Sequence, residues 1–275
     1  MPEKLVTYAV AGKVGMVSLN RPDKLNALNR EMLLALSECL EAADHDRATS
    51  VVVLRGEGRS FCAGFDIADP RYSAPHDHPL ELQRRVAATV GFEVTPWEMR
   101  KPVIASVHGH VLGAGCQIAM LCDLTVAAAD AIFGEPEIRF DRPGPALVMP
   151  FVVGLKRTRQ LLYFGDRIDA RTALAWGMVN WVVPLAELAE ATLRHADRLA
   201  LISLEALTAA KLAINRGAEA AGFRDAIRAG MDVLTLLGAG RTKVGEQFFE
   251  IARTEGLSAA LRWRRSQFGE QGGAG

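Results

Sequence analysis

Apolar residues recur along the chain first at the spacing of strands and later at the spacing of helices. Alternating apolar positions on both sides of Ala11-Gly12-Lys13 predict a β-hairpin from residues 5–10 and 14–19. Two short apolar runs then predict buried parallel strands at 51–54 and 103–107. Further β runs follow at 124–127, 131–133 and 179–183.

Helical spacing of apolar residues predicts helices between these strands and, after the last strand, helices alone. One predicted helix begins after a cap at Asn29, and another begins near Gly113. The others are 80–99, 157–163, 170–176, 185–199, 204–216, 223–237, 244–252 and 257–263. This order predicts an α/β core over residues 1–200, followed over 201–275 by a helical region for contact between subunits.

Charge and hydropathy exclude some classes of partner. The 275 residues carry 32 Lys and Arg against 32 Asp and Glu, without the basic excess that nucleic-acid binding requires. The chain has no apolar stretch long enough to cross a membrane and no signal-peptide pattern, so we expect a cytoplasmic protein without membrane contact.

Two loops rich in glycine and alanine, 60–67 and 109–117, each follow a predicted buried strand. Gly113-Ala114-Gly115 opens a helix, where first-turn amides lack internal acceptors, and the Ala63 amide is a second plausible donor. Two such loops can direct two peptide N–H groups at one oxygen that gains negative charge, which is the construction of an enzyme. The first loop alone would also fit a plain turn. A dinucleotide fingerprint is excluded because Ile118 replaces its third glycine.

Two glutamates, Glu135 and Glu137, flank Pro136 among apolar residues. Burial there would raise the pKa of a carboxyl towards the range of general acid–base work, whereas two solvent-facing turn glutamates are the alternative. Asp141 follows, and either reaches the same cavity or caps a turn. The segment His76-Asp77-His78 lacks a further ligand pattern, so no metal site is expected.

Four blocks in order resemble the enoyl-CoA hydratase/isomerase family, the crotonase superfamily, over about residues 5–265. They are Arg21-Pro22 with Leu25-Asn26-Ala27-Leu28, then Ala63-Gly64-Phe65-Asp66-Ile67, then Lys101-Pro102-Val103-Ile104-Ala105 through Gly115, and Phe133-Gly134-Glu135-Pro136-Glu137. The resemblance implies a crotonase-like ββα spiral fold, a homotrimer or homohexamer, and an acyl-CoA substrate. It implies no diffusible cofactor and no metal.

The resemblance also implies roles for individual residues. The thioester oxygen would lie between the amides of Ala63 and Ala114, with Glu137 as the acid–base group. The CoA moiety would be bound by Lys24, Leu25, Ala27, Ala63, Gly64, Phe65, Asp66 and Ile67.

One position departs from the family pattern. Family hydratases use two glutamates, and the first would fall at position 117, where this chain has Gln117. One glutamate suffices for a double-bond isomerase, while hydration by one carboxylate, aided by Gln117 or Asp141, would be slow. The resemblance therefore implies enoyl-CoA isomerisation or hydration. Acyl-CoA hydrolysis or dehydration, or acyl-CoA binding without catalysis, are the alternatives.

Overall fold

The fold is built around a parallel sheet that begins with an antiparallel hairpin. The computed structural model describes residues 4–69, 78–142, 144, 148–240 and 242–269. Among them, one sheet has six strands: β1 Val6–Ala11, β2 Val14–Leu19, β3 Val51–Gly56, β4 Val103–Val107, β6 Leu124–Ala128 and β9 Trp181–Val183. The strands lie side by side in this order, and only β1 and β2 pair antiparallel.

A second, three-stranded sheet lies beside the candidate loops. It consists of β5 His110–Leu112, β7 Ile132–Gly134 and β8 Arg167–Asp169, in the order β5-β7-β8. The sequence predicted β7 but not β5 or β8. β5 and β8 are too short to show a period of two and each includes a polar residue, whereas β7 overlaps the apolar run 131–133.

Helices cover both faces of the larger sheet. The helices of the described residues are α1 Arg30–His45, α2 Pro79–Glu93, α3 Thr95–Glu98, α4 Ala114–Leu121, α5 Met149–Phe164, α6 Ala170–Ala175, α7 Leu188–Leu199, α8 Leu204–Ala220, α9 Phe223–Ala239, α10 Lys243–Glu255 and α11 Leu257–Gln267. Because successive strand residues point to opposite faces, Val52 and Leu54 pack in the main core, whereas Val51 and Val53 pack with α7.

The single helix predicted over 80–99 is two helices. The interruption falls at Val94, whose N–H bonds to the Val90 carbonyl before the chain turns into α3. Pro96 explains the break, since proline cannot donate a helical hydrogen bond and disfavours helical geometry in the residue before it. The other predicted long helices from residue 185 onward are confirmed, with ends that differ by a few residues.

Asn26 fixes the segment that later contacts the first candidate loop. Its side chain is fully buried, accepts from the Arg21 N–H at 2.8 Å, and donates to the Glu57 and Ser60 carbonyls at 2.9 and 2.8 Å. It also adopts a φ of 55°, a conformation that asparagine tolerates better than most residues. One side chain thus joins the segment before α1 to the end of β3.

We expect Asn26→Ala to lower the free energy of unfolding by about 3 kcal/mol, because two buried carbonyls and one N–H lose their partners. Denaturant unfolding would measure the change. Asn20→Ala, which removes a single hydrogen bond to the Lys4 carbonyl, is the matched control and should cost about 1 kcal/mol or less. Equal losses in the two variants would contradict the role assigned to Asn26.

Candidate active site

Backbone hydrogen bonds join the two glycine-rich loops along their length. The Phe61 and Cys62 N–H groups donate to the His108 and His110 carbonyls at 2.8 and 3.0 Å, and the Leu112 N–H donates back to Cys62 at 3.0 Å. The loops follow adjacent parallel strands, β3 and β4, whose carboxyl ends lie at the same edge of the sheet. Their pairing therefore brings Gly64 next to the start of α4.

Ala114 contributes a peptide N–H at this junction. It is the first residue of α4, so its N–H has no acceptor within the helix, and no other described residue accepts from it. A Cβ placed on Gly64 would lie 3.6 Å from the Ala114 nitrogen and 3.0 Å from the Glu137 Oε1. The amide, the first loop and a carboxyl thus meet at one point.

In the first loop, the Phe65 N–H, and not the Ala63 N–H, points away from the segment of residues 25–28. The Gly64 carbonyl accepts from the Leu28 N–H at 2.8 Å, and the Asp66 N–H donates to Leu28 at 3.0 Å. In a trans peptide the N–H points opposite to the carbonyl, so the Phe65 N–H points away from Leu28.

The prediction that Ala63 supplies an oxyanion amide is wrong. The Ala63 N–H donates to the Leu25 carbonyl at 3.0 Å, so it is already bound within the protein. Ala63 is also absent from the described residues that line the adjacent cavity, whereas Phe65 and Ala114 both line it. Sequence identified the loop, but the choice of peptide depends on how the loop pairs with residues 25–28.

Glu137 lies against the backbone of both loops. It belongs to a 3-10 helix, Pro136–Phe140, and is 8% exposed. A Cβ on Gly113 would overlap its carboxyl, and Gly113 has a φ of 51° that only glycine adopts readily. Burial raises the pKa of Glu137 to about 7, which is close to the value that general acid–base catalysis requires at neutral pH.

Two further buried carboxyls share the cavity with Glu137. Glu93, at the end of α2, and Glu135 are each 1% exposed. Burial, reinforced by the charge of Glu137, raises the pKa of Glu93 to about 8 and that of Glu135 well above its usual value. Gln117 is equally buried, and its Nε2 donates to Glu135 Oε1 at 2.7 Å. The site therefore holds protons at neutral pH.

Glu93 was not predicted as a site residue, although the sequence carries a signal for it. Leu82, Val86, Val90 and Glu93 follow one another at spacings of four, four and three residues, so the glutamate continues the apolar stripe of α2. A carboxyl on the buried face of a helix is uncommon, and that placement marks a candidate functional residue.

These groups line a cavity of about 600 Å³, a size typical of small-molecule sites. Its walls include apolar residues of α1, α2 and α9: Leu33, Leu34, Leu82, Val86, Val90, Leu234 and Leu237. Exposed Arg30 and Arg84 also line it. The arrangement combines an apolar chamber, a polar end with acid–base groups, and cationic side chains.

The residues predicted to bind CoA occupy different positions relative to the cavity. Phe65 and Asp66 line it, and the Asp66 carboxylate accepts from Arg21 at 2.6 Å. Leu25, Ala27 and Gly64 belong to the paired backbone beside it, and Lys24 is exposed nearby. Ile67 packs instead against the small core around Phe140 and Phe248.

The surroundings of Asp141 and Cys62 limit the chemistry of both side chains. Asp141 lines the cavity, but its Oδ2 accepts from the Thr242 hydroxyl at the start of α10. Burial raises the pKa of the Cys62 thiol to about 12, so it stays protonated.

No group of three potential ligands suitable for a metal ion occurs in the described parts of the chain; His76 and Asp77 lie outside them.

Comparison with known proteins identifies the class to which this fold and site belong. Residues 10–249 match the model of the enoyl-CoA hydratase/isomerase family. The chain belongs to this family, and the resemblance to the crotonase superfamily and its spiral α/β fold is confirmed. Its members are lyases or isomerases that act on acyl-CoA thioesters.

Individual relatives support the same assignment. A probable enoyl-CoA hydratase of Rhizobium meliloti is 36% identical over 215 residues, 76% of this chain and 80% of the relative. The 2,3-dehydroadipyl-CoA hydratase of Escherichia coli is 35% identical over 93% of this chain and 95% of its own. The crystal structure of an enoyl-CoA hydratase/isomerase from Xanthobacter autotrophicus superimposes with a TM-score of 0.92 at 33% identity, covering 96% of this chain and 98% of that one.

We expect Gly113→Ala to abolish activity, since its Cβ would displace the Glu137 carboxyl and strain the backbone at the start of α4. Gly217→Ala is the matched control. Its Cβ would meet nothing within 4 Å inside α8, so the variant should keep full activity and gain up to about 1 kcal/mol of stability. Steady-state rates and thermal unfolding would measure both effects. An active Gly113→Ala enzyme would contradict this packing.

Glu93→Gln should remove a pH dependence of stability. The folded-state pKa of Glu93 is about 8, above the ordinary value of 4.5, so the folded protein retains a proton that the unfolded chain releases. This contribution to the free energy of unfolding is full below pH 4.5 and falls by up to about 1.4 kcal/mol per pH unit as pH rises towards 8. Denaturant unfolding at pH 5 and pH 8.5 should show the variant gaining on the wild type at the higher pH. If the difference in free energy of unfolding between the variant and the wild type does not change with pH, the buried, protonated state of Glu93 is contradicted.

Proposed function

We propose that this protein moves a proton on an enoyl-CoA thioester, either hydrating a 2-enoyl-CoA or shifting the double bond of a 3-enoyl-CoA. The observation that carries the proposal is the Glu137 carboxyl, buried and held against the backbone of Gly64 and Gly113 beside the Ala114 N–H. A proton-transfer group and a peptide donor thus face the same end of one apolar cavity.

The donors act on the thioester oxygen. The Ala114 N–H, strengthened by its position at the start of α4, and the Phe65 N–H hydrogen-bond this oxygen as it gains charge in the enolate. Donors that are already oriented cost no reorganisation during the reaction, which is why this arrangement lowers the barrier. Glu137 takes or delivers the proton that the reaction moves.

The CoA moiety extends from this end along the paired loops. Phe65 and Asp66 line the cavity that the thioester enters, and exposed Lys24, Arg30 and Arg84 supply positive charge for the phosphates of the carrier. The proposed reaction uses water and the thioester itself, with no diffusible cofactor and no metal. Asp141 stays a predicted contributor that lines the same cavity.

The protein acts as a homotrimer or homohexamer in the cytoplasm, with residues 201–275 forming much of the contact between subunits. Exposed apolar side chains on α8 and α9 support this, among them Ile214, Val233 and Leu236. Large apolar residues that stay in water on neighbouring helices favour association with another copy. In the part of the chain that the structure describes, no helix has the length and apolar composition to span a bilayer.

Glu137→Gln should lower kcat by about 1,000-fold while the affinity for CoA changes by less than about threefold, because the amide cannot transfer the proton yet keeps the shape of the side chain. The assay follows the absorbance of the conjugated enoyl thioester with 2-enoyl-CoA and 3-enoyl-CoA separately, and calorimetry gives the CoA affinity.

The control is Glu190→Gln, which changes an exposed carboxylate of α7 paired with Arg194 and should leave both rates unaltered. A Glu137→Gln enzyme as fast as the wild type would refute the role of Glu137. Release of free CoA thiol, without change in the double bond, would instead favour hydrolysis.

A further inference from the structure

We propose that Glu135, which lies between β7 and the 3-10 helix, is the second acid–base group of this site. It supplies the carboxyl that position 117 lacks, and Gln117 is its positioning residue. This inference rests on the proposed function and selects hydration within it. It assigns a catalytic role to a residue that the resemblance did not include among the site residues.

The contact between Gln117 and Glu135 carries the proposal. Gln117 lies one turn into α4, three residues after Ala114, and its Nε2 donates to Glu135 Oε1 at 2.7 Å. Both side chains are 1% exposed and both line the cavity that contains Glu137. A carboxyl at 135 therefore directly contacts the side chain at 117, and the glutamine fixes its orientation by a buried hydrogen bond.

The second oxygen of Glu135 faces another part of the cavity wall. A Cβ on Gly144 would lie 3.3 Å from Glu135 Oε2, and Gly144 itself lines the cavity. Gln117 therefore binds one oxygen, and a residue without a side chain lies next to the other. Oε2 is thus the oxygen that can exchange a proton with substrate.

Buried acceptors without a donor lie around the same space. Gln117 Oε1, Glu137 Oε2 and Glu93 Oε2 are each inaccessible and receive no hydrogen bond within the described residues. Such atoms cost free energy unless a bound group donates to them. A water molecule donates two hydrogens, and Gln117 Oε1 and Glu137 Oε2 are two acceptors for it in a hydration site.

The charges of the cluster give the two carboxyls different protonation states. Four groups face Glu135: Glu137 on its own segment, Glu93 on α2, and Gln117 and Cys116 on α4. Several buried carboxyls cannot all ionise together, so one retains its proton while another is free to accept one. The pKa of Glu135 is raised well above its usual value and that of Glu137 to about 7, which favours Glu135 as the acid and Glu137 as the base.

The resulting step balances in atoms and charge. Glu137 carboxylate removes one proton from water while the water oxygen bonds to C3 of the enoyl group. The C2=C3 electron pair moves towards the thioester carbonyl, whose oxygen is stabilised by the peptide N–H groups. Protonated Glu135 then delivers its proton to C2, which restores the carbonyl and gives the 3-hydroxyacyl thioester. Return of the proton from Glu137 to Glu135 closes the cycle.

The test compares Glu135→Gln with the exchanged double variant Gln117→Glu/Glu135→Gln, each assayed for hydration of 2-enoyl-CoA and isomerisation of 3-enoyl-CoA. Glu135→Gln keeps the size of the side chain and can still accept from Gln117, so a structural role would survive it. We expect kcat for hydration to fall at least 100-fold, with KM and isomerisation within about threefold of wild type. The double variant, with the carboxyl on α4, should regain at least tenfold over Glu135→Gln.

A pH profile separates chemistry from structure. The hydration rate of the wild type should rise with pH as Glu137 loses its proton, and it should fall again at alkaline pH as Glu135 loses its own proton. Glu135→Gln should lose the alkaline limb and the double variant should recover it. If Glu135→Gln does not fold, Glu135→Asp withdraws the carboxyl by one methylene and should lower kcat for hydration by at least tenfold.

The outcomes distinguish this inference from the proposed function. A folded Glu135→Gln or Glu135→Asp enzyme that hydrates at the wild-type rate overturns the inference alone. So does a wild type that isomerises without hydrating. A wild type that acts on neither substrate overturns the proposed function, and the inference with it.

Discussion

The backbone hydrogen bonds between the two glycine-rich loops are the interaction on which the rest of the site depends. They hold the end of β3 against the segment between β4 and α4 through Cys62, His110 and Leu112. A Cβ at position 113 would overlap the Glu137 carboxyl, and one at position 64 would lie 3.0 Å from its Oε1. Peptide donors and the acid–base group thus belong to one rigid unit, fixed before any substrate binds.

Burying several carboxyls in one apolar cavity costs stability, and that cost indicates a functional role. Glu93, Glu135 and Glu137 would each be more stable in water, and each raises the cost of ionising a neighbour. A fold optimised for stability alone would place apolar side chains there. The hydrogen bond from Gln117 to Glu135 shows that the polar groups are organised with respect to each other, as a site for proton transfer requires.

Strong periodic segments of the sequence predicted their elements well, and short or locally interrupted ones did not. β4 was predicted with its observed bounds, and the helices from residue 185 onward differ only at their ends, because long apolar stripes are local signals. The strands His110–Leu112 and Arg167–Asp169 form only because neighbouring strands pair with them. The sequence predicted one helix across Pro96, where the structure has α2 and α3.

By itself, the sequence predicted that the two loops, their glycines and Glu137 belong to one site, since motif order and residue chemistry are local properties. The tertiary structure alone decided which peptide of the first loop is already bound within the protein, because pairing with Leu25 and Leu28 binds the Ala63 N–H and directs that of Phe65 away. It also decided that Glu93 and Glu135 join Glu137 in one cavity. Distances between residues far apart along the chain follow from packing, which no local pattern encodes.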